Sequence, residues 1–394
     1  MNKSFKDKQV LEHPHTTSLH KQPYSICNKT VMDTSDLDIT FDDFGVSNYA
    51  GKYDYFCDLY GHKNGSSKDK LNNIISKIKK ECINDEYDCI IGLSEGIDSS
   101  YLIYYAVEIL KLRVLPFHVD TGWNSEIAVN NITKIVNKLN LDLHTVVLDW
   151  NEISDLQKAF FLSGVPNLDI PQDHSFSASV YKEASKFGIK YIFNGNNFQT
   201  ESILPNSWGY DATDLTHLLA IHKKFGKVKL KTYPKFTMFK KFFYYPVIKK
   251  MKTVEPLNYL NYDKDEAIRT LKNYFDWKSY GGKHNESLFT KFFQSYYLVN
   301  KFGFDKRKAH LSSLIVANKL SRDNAIELLE KPVLNKIEEK NEIDYFCSKL
   351  DISLTQFHNV MNSKPVLHST YKNSQKTRLF ITTKFQVLKK YFKV

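Results

Sequence analysis

Short apolar runs alternate with amphipathic segments along the middle of the chain. The apolar runs are typical of β-strands and cover residues 87–93, 114–120, 143–150 and 190–193. Apolar positions spaced three and four residues apart predict helices over residues 99–110, 126–139 and 175–187. This alternation predicts an α/β fold in which helices cover both faces of a parallel sheet. Ligands bind such sheets beyond the carboxyl ends of the strands, so the residues that follow each strand are candidates for a site.

The regions on either side have a different pattern. An apolar stripe predicts a helix over residues 71–82, and residues 38–41 are consistent with a short strand. Beyond residue 255, helices are expected over residues 264–275, 286–299, 306–319, 322–330, 343–349 and 353–361. The predicted organisation is a flexible arm (1–25), a small N-terminal module (26–60), an α/β domain (61–222), a basic aromatic segment (223–262), a helical C-terminal domain (263–365) and a basic tail (366–394).

The composition limits the class of protein. With 42% hydrophobic and 14% aromatic residues, the chain can bury large cores, which excludes wholesale disorder. Its longest apolar stretches fall short of the ~18 residues that span a bilayer. Residues 1–10 contain no apolar core of a secretory signal. The five cysteines are scattered without a repeated spacing, which favours reduced thiols. We therefore expect a cytoplasmic protein.

The net charge of +11 is concentrated in one segment. Residues 223–252 contain eleven lysines and no acidic residue. A nucleic acid, an anionic membrane surface and a phosphorylated ligand are the partners that such a segment attracts. A solvated, lysine-rich face is the plain alternative, and the sequence leaves these readings open.

The turn after the first predicted strand has the sequence SEGIDSS, at residues 94–100, and is followed at once by a helical pattern. A turn of small residues before a helix aims several N–H groups and the positive end of the helix dipole at one point, which favours phosphate. Asp98 is placed to hold a magnesium ion against such phosphates. The GK[ST] ending of a Walker A loop is missing. An ordinary capped helix start is the alternative.

The strand–SxGxDSS–helix arrangement resembles the PP-loop of the ATP pyrophosphatases. The likeness continues through HVDTGWNSEIAVNNI (118–132), IPQDHS (170–175), GIKYIFNGNNFQTESILPNSWGY (188–210), IHKKFGKVKLKT (221–232), YGGKHNESLFTKFFQ (280–294) and FDKRKAHLSSLI (304–315). These blocks resemble the N-acetyl sugar amidotransferase family of the WbpG and PseA type. The resemblance covers roughly residues 25–365 and keeps the order of the blocks.

This resemblance implies an activity and a set of partners. The family is understood to use ATP and Mg²⁺ to convert an acetamido group of a bacterial sugar to an acetamidino group, releasing AMP and pyrophosphate. Its products belong to surface polysaccharides such as the lipopolysaccharide O-antigen, or to flagellin glycans. Ammonia is expected from a separate HisH-like glutaminase through a HisF-like partner. Consistent with that, the chain contains no recognisable glutaminase segment.

The resemblance also implies roles for individual residues. The expected phosphate-binding residues of the turn are Ser94, Gly96, Asp98, Ser99 and Ser100. The residues expected to bind adenine are His118, Val119 and Asp120, and those expected after the fourth strand are Asn196, Thr200 and Glu201. We expect Glu201 and Asp98 to share the magnesium ion. The candidates for acid–base, amide-orienting or anion-binding roles are Asp173, His174, Lys283, His284 and Arg307. Turn formation, helix capping and a solvated helix face are the alternatives.

Two departures from the family pattern are visible. Relatives have SGGxDS, whereas this chain has Glu95 at the second position, where a carboxylate repels polyphosphate. Relatives also carry two C-x-x-C pairs near the N-terminus, whereas this chain keeps Cys27 and has Thr30, Ser47 and Ala50 at the other positions. One thiol cannot form a four-thiolate site, so no zinc is expected. Another PP-loop activity such as tRNA thiolation, and a catalytically weak nucleotide-binding scaffold, are the alternative functions.

Overall fold

A five-stranded parallel sheet forms the centre of the α/β region. The computed structural model describes residues 19, 23–94, 96–279 and 287–392, with side chains up to residue 383. The strands are β1 (Cys89–Gly92), β2 (Val114–Asp120), β3 (His144–Val147), β4 (Tyr191–Phe193) and β5 (Lys252–Val254). They lie in the order β3-β2-β1-β4-β5, and every neighbouring pair is parallel. The predicted α/β class is confirmed.

Helices make up most of the remaining described chain. The α-helices are Lys52–Tyr60, Ser67–Glu81, Ile97–Tyr104, Glu126–Lys138, Trp150–Ser163, Ile170–Lys186, Phe198–Glu201, Leu215–Phe225, Lys264–Phe275, Leu288–Phe292, Leu298–Phe302, Lys306–Val316, Arg322–Glu330, Lys336–Lys349, Leu354–Asn362 and Gln375–Phe392. Segments of π-helix cover Tyr105–Ile109, Lys240–Ile248 and Phe293–Tyr297, and short 3₁₀ turns cover Asn206–Trp208, Pro256–Tyr259 and His368–Thr370. Within the described residues, the longest and most apolar of these helices still fall short of what a bilayer crossing requires.

Helices cover both faces of the sheet because the side chains of β1 alternate between two apolar clusters. Cys89 and Ile91 belong to a cluster that includes residues of the helices Ser67–Glu81 and Glu126–Lys138. Ile90 points the other way, into a cluster with residues of the helix Ile170–Lys186. Successive strand residues face opposite sides of a sheet, so a strand buried on both faces is apolar throughout. This is why β1 reads as a continuous apolar run.

The structure corrects several details of the sequence prediction. Residues 38–41 form no strand, and Phe41 makes only an isolated bridge to Ser47. The strand expected over 143–150 ends at Val147, because the side chain of Asp149 caps the next helix by accepting a hydrogen bond from the N–H of Glu152 (3.1 Å). The strand β5 was not expected. The helix predicted from residue 175 begins at Ile170, with a proline in its first turn.

The N-terminal module packs against the helix Lys306–Val316. The ammonium group of Lys308 forms a buried ion pair with the carboxylate of Asp33. The backbone N–H of Val31 donates to the hydroxyl of Ser312 (3.1 Å). One large apolar cluster contains Met32 together with buried phenylalanines of the α/β region and of the C-terminal helices. The module therefore holds a helix of the C-terminal region in place.

The remnant of the cysteine motif is buried in this module. The sulfur of Cys27 accepts hydrogen bonds from the backbone N–H groups of Thr30 (3.3 Å) and Ser47 (3.2 Å). The guanidinium of Arg322 donates to the carbonyl oxygens of Cys27 (3.3 Å) and Thr30 (3.0 Å). These bonds link Cys27 to Thr30 and Ser47, two of the residues that stand where the family pattern has cysteines. The absence of zinc stays a prediction.

Candidate active site

A cavity of about 810 Å³ lies at the carboxyl ends of the strands, and we call it the central cavity. Residues that follow β1, β2 and β4 line one side of it. The other side is lined by residues of the C-terminal helices, including Thr290, Lys306 and His310. The central cavity therefore joins the carboxyl edge of the sheet to helices that lie much further along the chain.

The turn after β1 forms the floor of the cavity and is held together by its own serine side chains. The hydroxyl of Ser99 donates to the carbonyl of Gly96 (3.1 Å) and accepts from the N–H of Ser94 (3.3 Å). The helix begins at Ile97, directly after Gly96, whose backbone is extended. The first N–H groups of a helix have no partner within it, so this turn can bind phosphate oxygens. Glu95 lies outside the described residues.

The loop after β4 approaches this turn so closely that Gly195 leaves no room for a side chain. A Cβ atom at Gly195 would lie 3.2 Å from the backbone nitrogen of Ser99 and 3.3 Å from the carbonyl carbon of Asp98. Both neighbours are backbone atoms of the helix start, which cannot move aside without changing the turn. A side chain at this position would therefore displace the start of the helix by a few tenths of an ångström.

We expect Gly195→Ala to lower the affinity for ATP about tenfold, because a displacement of a few tenths of an ångström misaligns the N–H groups of the cradle. Gly209→Ala is the matched control, since Gly209 also lines the central cavity but a Cβ there meets no atom within 4 Å. Isothermal titration of both variants with ATP and Mg²⁺ measures the difference. Equal affinities for the two variants would contradict the steric argument.

Asp98 and Glu201 provide two carboxylates for a cation. Both line the central cavity, and the hydroxyl of Tyr262 donates to Asp98 Oδ1. Burial and then the negative charges of Asp98 and Glu201 raise the pKa of Tyr262 well above its usual value, so both carboxylates lie near this one hydroxyl. Mg²⁺ is commonly held by one or two carboxylates together with phosphate oxygens. These two residues fit that arrangement.

The ring of His118 is fixed at the end of β2. Its Nδ1 donates to the carbonyl of Leu93 (3.0 Å), and its Nε2 accepts from the side-chain amide of Asn124 (2.9 Å). Burial lowers the pKa of His118, so the ring is neutral. His118 and Val119 line the central cavity, whereas the carboxylate of Asp120 accepts from the N–H of Gly122 (2.8 Å) and shapes the turn.

Two aspartates one helical turn apart face the cavity at the start of the helix Ile170–Lys186. Asp169 is buried and accepts hydrogen bonds from the side chains of Gln172 (3.0 Å) and Thr290 (3.1 Å). Asp173 is exposed to solvent at the wall of the cavity. Protein packs around the rest of this side chain and partly desolvates the carboxylate. This desolvation, and then the charge of Asp169, raises the pKa of Asp173 to about 7, while the charge of Lys306 opposes the rise.

The raised pKa of Asp173 predicts a pH-dependent stability. The unfolded carboxyl has a pKa near ~3.9, so between about pH 4 and pH 7 unfolding releases a proton and the stability falls as pH rises. Asp173→Asn removes this cost. We therefore expect the variant to be more stable than the natural protein above pH 7, by about 1 kcal/mol after allowance for solvent in the cavity.

Urea unfolding at pH values on either side of this window measures the effect, with the exposed Asp142→Asn as the control. A stability difference between Asp173→Asn and the natural protein that does not change with pH would contradict the assignment of the raised pKa to Asp173.

The remaining predicted site residues have structural partners away from the cavity lining. The imidazole of His174 uses both nitrogens on the backbone, donating to the carbonyl of Ala212 (2.8 Å) and accepting from the N–H of Phe236 (2.9 Å). Burial lowers the pKa of His174 to about 4, so its ring is neutral and has no nitrogen left for a substrate. The ring therefore holds the backbone of residues 212 and 236 in place.

Arg307 faces the opposite side of its helix from the cavity. Its guanidinium pairs with Asp305 (2.7 Å) and donates to the carbonyl of Lys331 (2.7 Å). The Ser100 side chain is buried, and the hydroxyl of Thr200 donates to the side chain of Asn197 (2.9 Å).

The structure therefore brings together part of the predicted set. The predicted residues that line the central cavity are Ser94, Gly96, Asp98, Ser99, His118, Val119, Asp173, Asn196 and Glu201. The predicted residues that lie elsewhere are Ser100, Asp120, His174, Thr200 and Arg307. Lys283 and His284 lie outside the described residues. The roles of all of them stay predictions.

Sequence reasoning missed several residues of the cavity wall. Asp169 carried a usable signal, because Pro171 two positions later is typical of the first turn of a helix and would have moved the helix start forward. No such signal marked three other residues of the wall, Thr290, Gln294 and Lys264. Each reaches the cavity through the packing of helices that lie far apart in the sequence.

One comparison with known proteins concerns the C-terminal residues that line this cavity. Residues 286–386 match the family model described as the C-terminal domain of WbpG-like lipopolysaccharide biosynthesis proteins. We call these residues the WbpG-like region, after the model that they match. The resemblance inferred from the sequence blocks is therefore confirmed. The WbpG-like region contributes Ser287, Thr290, Gln294, Lys306 and His310 to the cavity wall.

Solved structures with a related fold were also found. NMN synthetase from Francisella tularensis is 12% identical, with 74% of this chain and 95% of that chain covered, at a TM-score of 0.32. NH3-dependent NAD synthetase from Campylobacter jejuni is 15% identical (52% and 83% covered, TM-score 0.28). The U34-tRNA thiolase NcsA from Methanococcus maripaludis is 15% identical (66% and 80% covered, TM-score 0.31). At these TM-scores the similarities add nothing to the assignment of the site. No curated protein matches the chain.

Proposed function

We propose that this protein is an ATP-dependent ligase of the amidotransferase type, which converts the N-acetyl group of a bacterial sugar to an acetamidino group. One observation carries the proposal: the phosphate-binding turn after β1 and the WbpG-like region line the same cavity. A nucleotide held by the turn and a sugar held by the C-terminal helices would meet in a space of about 810 Å³. The family match supports lipopolysaccharide biosynthesis as the pathway, and a flagellin glycan is the alternative that the sequence resemblance implies.

The chemistry requires activation of a poor electrophile. The acetamido oxygen attacks the α-phosphorus of ATP and displaces pyrophosphate, which gives an adenylated imidate. Ammonia then adds to the imidate carbon, and AMP departs with the former amide oxygen. Such a reaction needs no protein nucleophile, so the site acts by positioning and by charge stabilisation.

The residues of the cavity suit these tasks. Asp98 and Glu201 would hold Mg²⁺, which neutralises charge on the phosphate groups. The N–H groups at the start of the helix Ile97–Tyr104 bind phosphate oxygens. Asp173, with a pKa of about 7, accepts the proton that the incoming nitrogen loses. Lys306 and His310 face the same space from the WbpG-like region and suit an anionic sugar.

A measurement of AMP release tests the proposal. The purified chain is incubated with ATP, Mg²⁺, ammonium and diacetamido sugars, free and nucleotide-linked. We expect AMP only when a sugar is present, and more rapid release when a HisH-like glutaminase and a HisF-like partner supply the ammonia. AMP release that depends on tRNA instead would contradict the proposal and favour thiolation.

The departure at Glu95 is tested in the same assay. Activity in the Glu95→Gly variant together with none in the natural chain would identify the natural chain as a nucleotide-binding scaffold.

A further inference from the structure

We propose that the helix Lys240–Ile248 and its flanks dock the protein on an anionic membrane surface. Four exposed apolar residues form what we call the apolar stripe: Phe239, Phe243, Val247 and Ile248. Their exposed fractions are 60%, 47%, 47% and 51%, far above those of ordinary core residues. A contiguous exposed apolar patch on a soluble fold marks an interaction surface.

The π-helical geometry aligns the apolar stripe. A π-helix closes its turns with i→i+5 hydrogen bonds, as between the N–H of Lys249 and the carbonyl of Tyr244 (2.9 Å). Residues four to five positions apart therefore share a face, and this spacing separates Phe239, Phe243 and the Val247–Ile248 pair. The rings of Phe239 and Phe243 lie 5.4 Å apart. The two rings are therefore neighbours, and the helical spacing puts Val247 and Ile248 on the same face.

The opposite face of this helix is fixed to the body of the protein. The buried ring of Tyr245 packs against Tyr181 (5.1 Å between centroids) and Phe236 (5.8 Å). Lys241 is half-buried and pairs with Asp211 (3.4 Å). The apolar stripe is therefore a rigid surface presented outward and not a loose loop.

Lysines surround the apolar stripe, and we call the three nearest in sequence, Lys240, Lys249 and Lys250, the lysine rim. All three are exposed. Of the eleven lysines in residues 223–252, Lys241 is the one that forms an ion pair with a described residue, and the other ten are exposed. The segment has no acidic residue of its own to neutralise them. Their charge is available to an external anion.

The apolar stripe and the lysine rim together favour an anionic membrane surface as the partner. Protein interfaces are depleted in lysine, and single-stranded nucleic acid is bound through aromatic rings that stack on bases, which Val247 and Ile248 cannot do. Surfaces that bind the membrane interface pair lysine with phenylalanine and aliphatic residues, because the apolar groups enter the acyl boundary while the ammonium groups meet anionic headgroups. The stripe and its rim have this composition.

Docking would bring the active site to the membrane. Lys241, on the same helix as the apolar stripe, lines the central cavity. The membrane face and a wall of the cavity therefore belong to one element, which suits a substrate that is made or used at the membrane.

Vesicle flotation with the full chain tests this proposal. Vesicles of phosphatidylcholine are compared with vesicles of phosphatidylcholine and phosphatidylglycerol at about three to one, each at low and high salt. We expect binding to the anionic vesicles at low salt, and loss of that binding as salt rises. Lys249→Glu/Lys250→Glu should weaken binding at least about tenfold, since each lysine near an anionic surface contributes a factor of about five. Phe239→Ser/Phe243→Ser should also weaken it about tenfold.

Matched controls lie on the helix Lys336–Lys349. Ile337→Ser removes an apolar residue that is 74% exposed, and Lys336→Glu/Lys340→Glu reverses two exposed lysines. These variants should bind vesicles as the natural chain does, and all variants should keep the natural melting temperature. Equal binding to neutral and anionic vesicles would overturn the proposal, as would vesicle binding that the stripe and rim variants leave unchanged. Tight binding to tRNA without binding to vesicles would assign the segment to nucleic acid instead.

Discussion

Replacing Asp98 with asparagine is expected to lower AMP formation about 10²- to 10³-fold while leaving the protein folded. The substitution keeps the shape of the side chain and an oxygen that can accept the hydrogen bond from Tyr262. It removes one of the two carboxylates, Asp98 and Glu201, that line the central cavity and that we propose as magnesium ligands. Because magnesium bound by two carboxylates is held largely by charge, we expect weaker binding of the ion and not merely a slower reaction.

Magnesium titrations distinguish this explanation from a general loss of structure. In the Asp98→Asn variant, the magnesium concentration that gives half-maximal activity should rise, and added magnesium should restore part of the activity. Tyr262→Phe removes the hydrogen bond alone and should have a much smaller effect. Asp265→Asn, at an exposed aspartate nearby, should have none. Full activity of Asp98→Asn at low magnesium would remove Asp98 from the proposed site.

The second large effect is expected on stability, from the buried ion pair between the N-terminal module and the helix Lys306–Val316. The side chains of Lys308 and Asp33 are 2% and 0% exposed. Lys308→Met leaves the carboxylate of Asp33 buried without its counter-charge, and breaking such a pair lowers the free energy of unfolding by about 3–5 kcal/mol. The partner helix carries Lys306 and His310, so activity should fall together with stability.

A double-mutant cycle isolates the pair from other contacts. Adding Asp33→Asn to Lys308→Met removes the unpaired charge and should restore part of the lost stability. Lys336→Met, at an exposed lysine, is the control and should change the free energy of unfolding by less than about 0.5 kcal/mol. Urea unfolding measures the natural chain, Lys308→Met, Asp33→Asn, the double variant and the control. A loss below about 1 kcal/mol in Lys308→Met would show that the pair is dispensable.

Most of the sheet was predictable from the sequence because β1, β2 and β4 are buried and therefore read as apolar runs. The apolar run of β3 was also recognisable, although alternate residues of this edge strand are exposed. Four strands were found in this way. The fifth, Lys252–Val254, is three residues long, begins with an exposed lysine and lies within the basic segment, so its pattern is polar. The helix Trp150–Ser163 was missed because its first residue continues an apolar run, and only the cap at Asp149 separates the two.

The candidate site was predictable on one side only. Ser94, His118 and Glu201 follow strands, and the geometry of parallel sheets brings such positions to one edge. The opposite wall depends on how helices pack, and Thr290 or Lys264 cannot be assigned to it from local pattern. The resemblance to a family identified the segment 304–315 as part of the site. It could not show which of two neighbouring residues lines the cavity: Lys306 does and Arg307 does not.

The two-sided construction of the central cavity restricts how its specificity can change. The apolar cluster that joins the N-terminal module, the α/β region and the C-terminal helices is continuous. A fragment that ends after β5 would lose the part of the cavity wall that includes Thr290, Lys306 and His310. It would also expose phenylalanines of the α/β region, such as Phe160 and Phe161, that pack in this cluster. The part of the cavity wall that the C-terminal helices form therefore cannot be exchanged as a separate unit. Under the proposed function, a change of sugar preference would require point changes at positions such as Thr290 or His310, made within the intact chain.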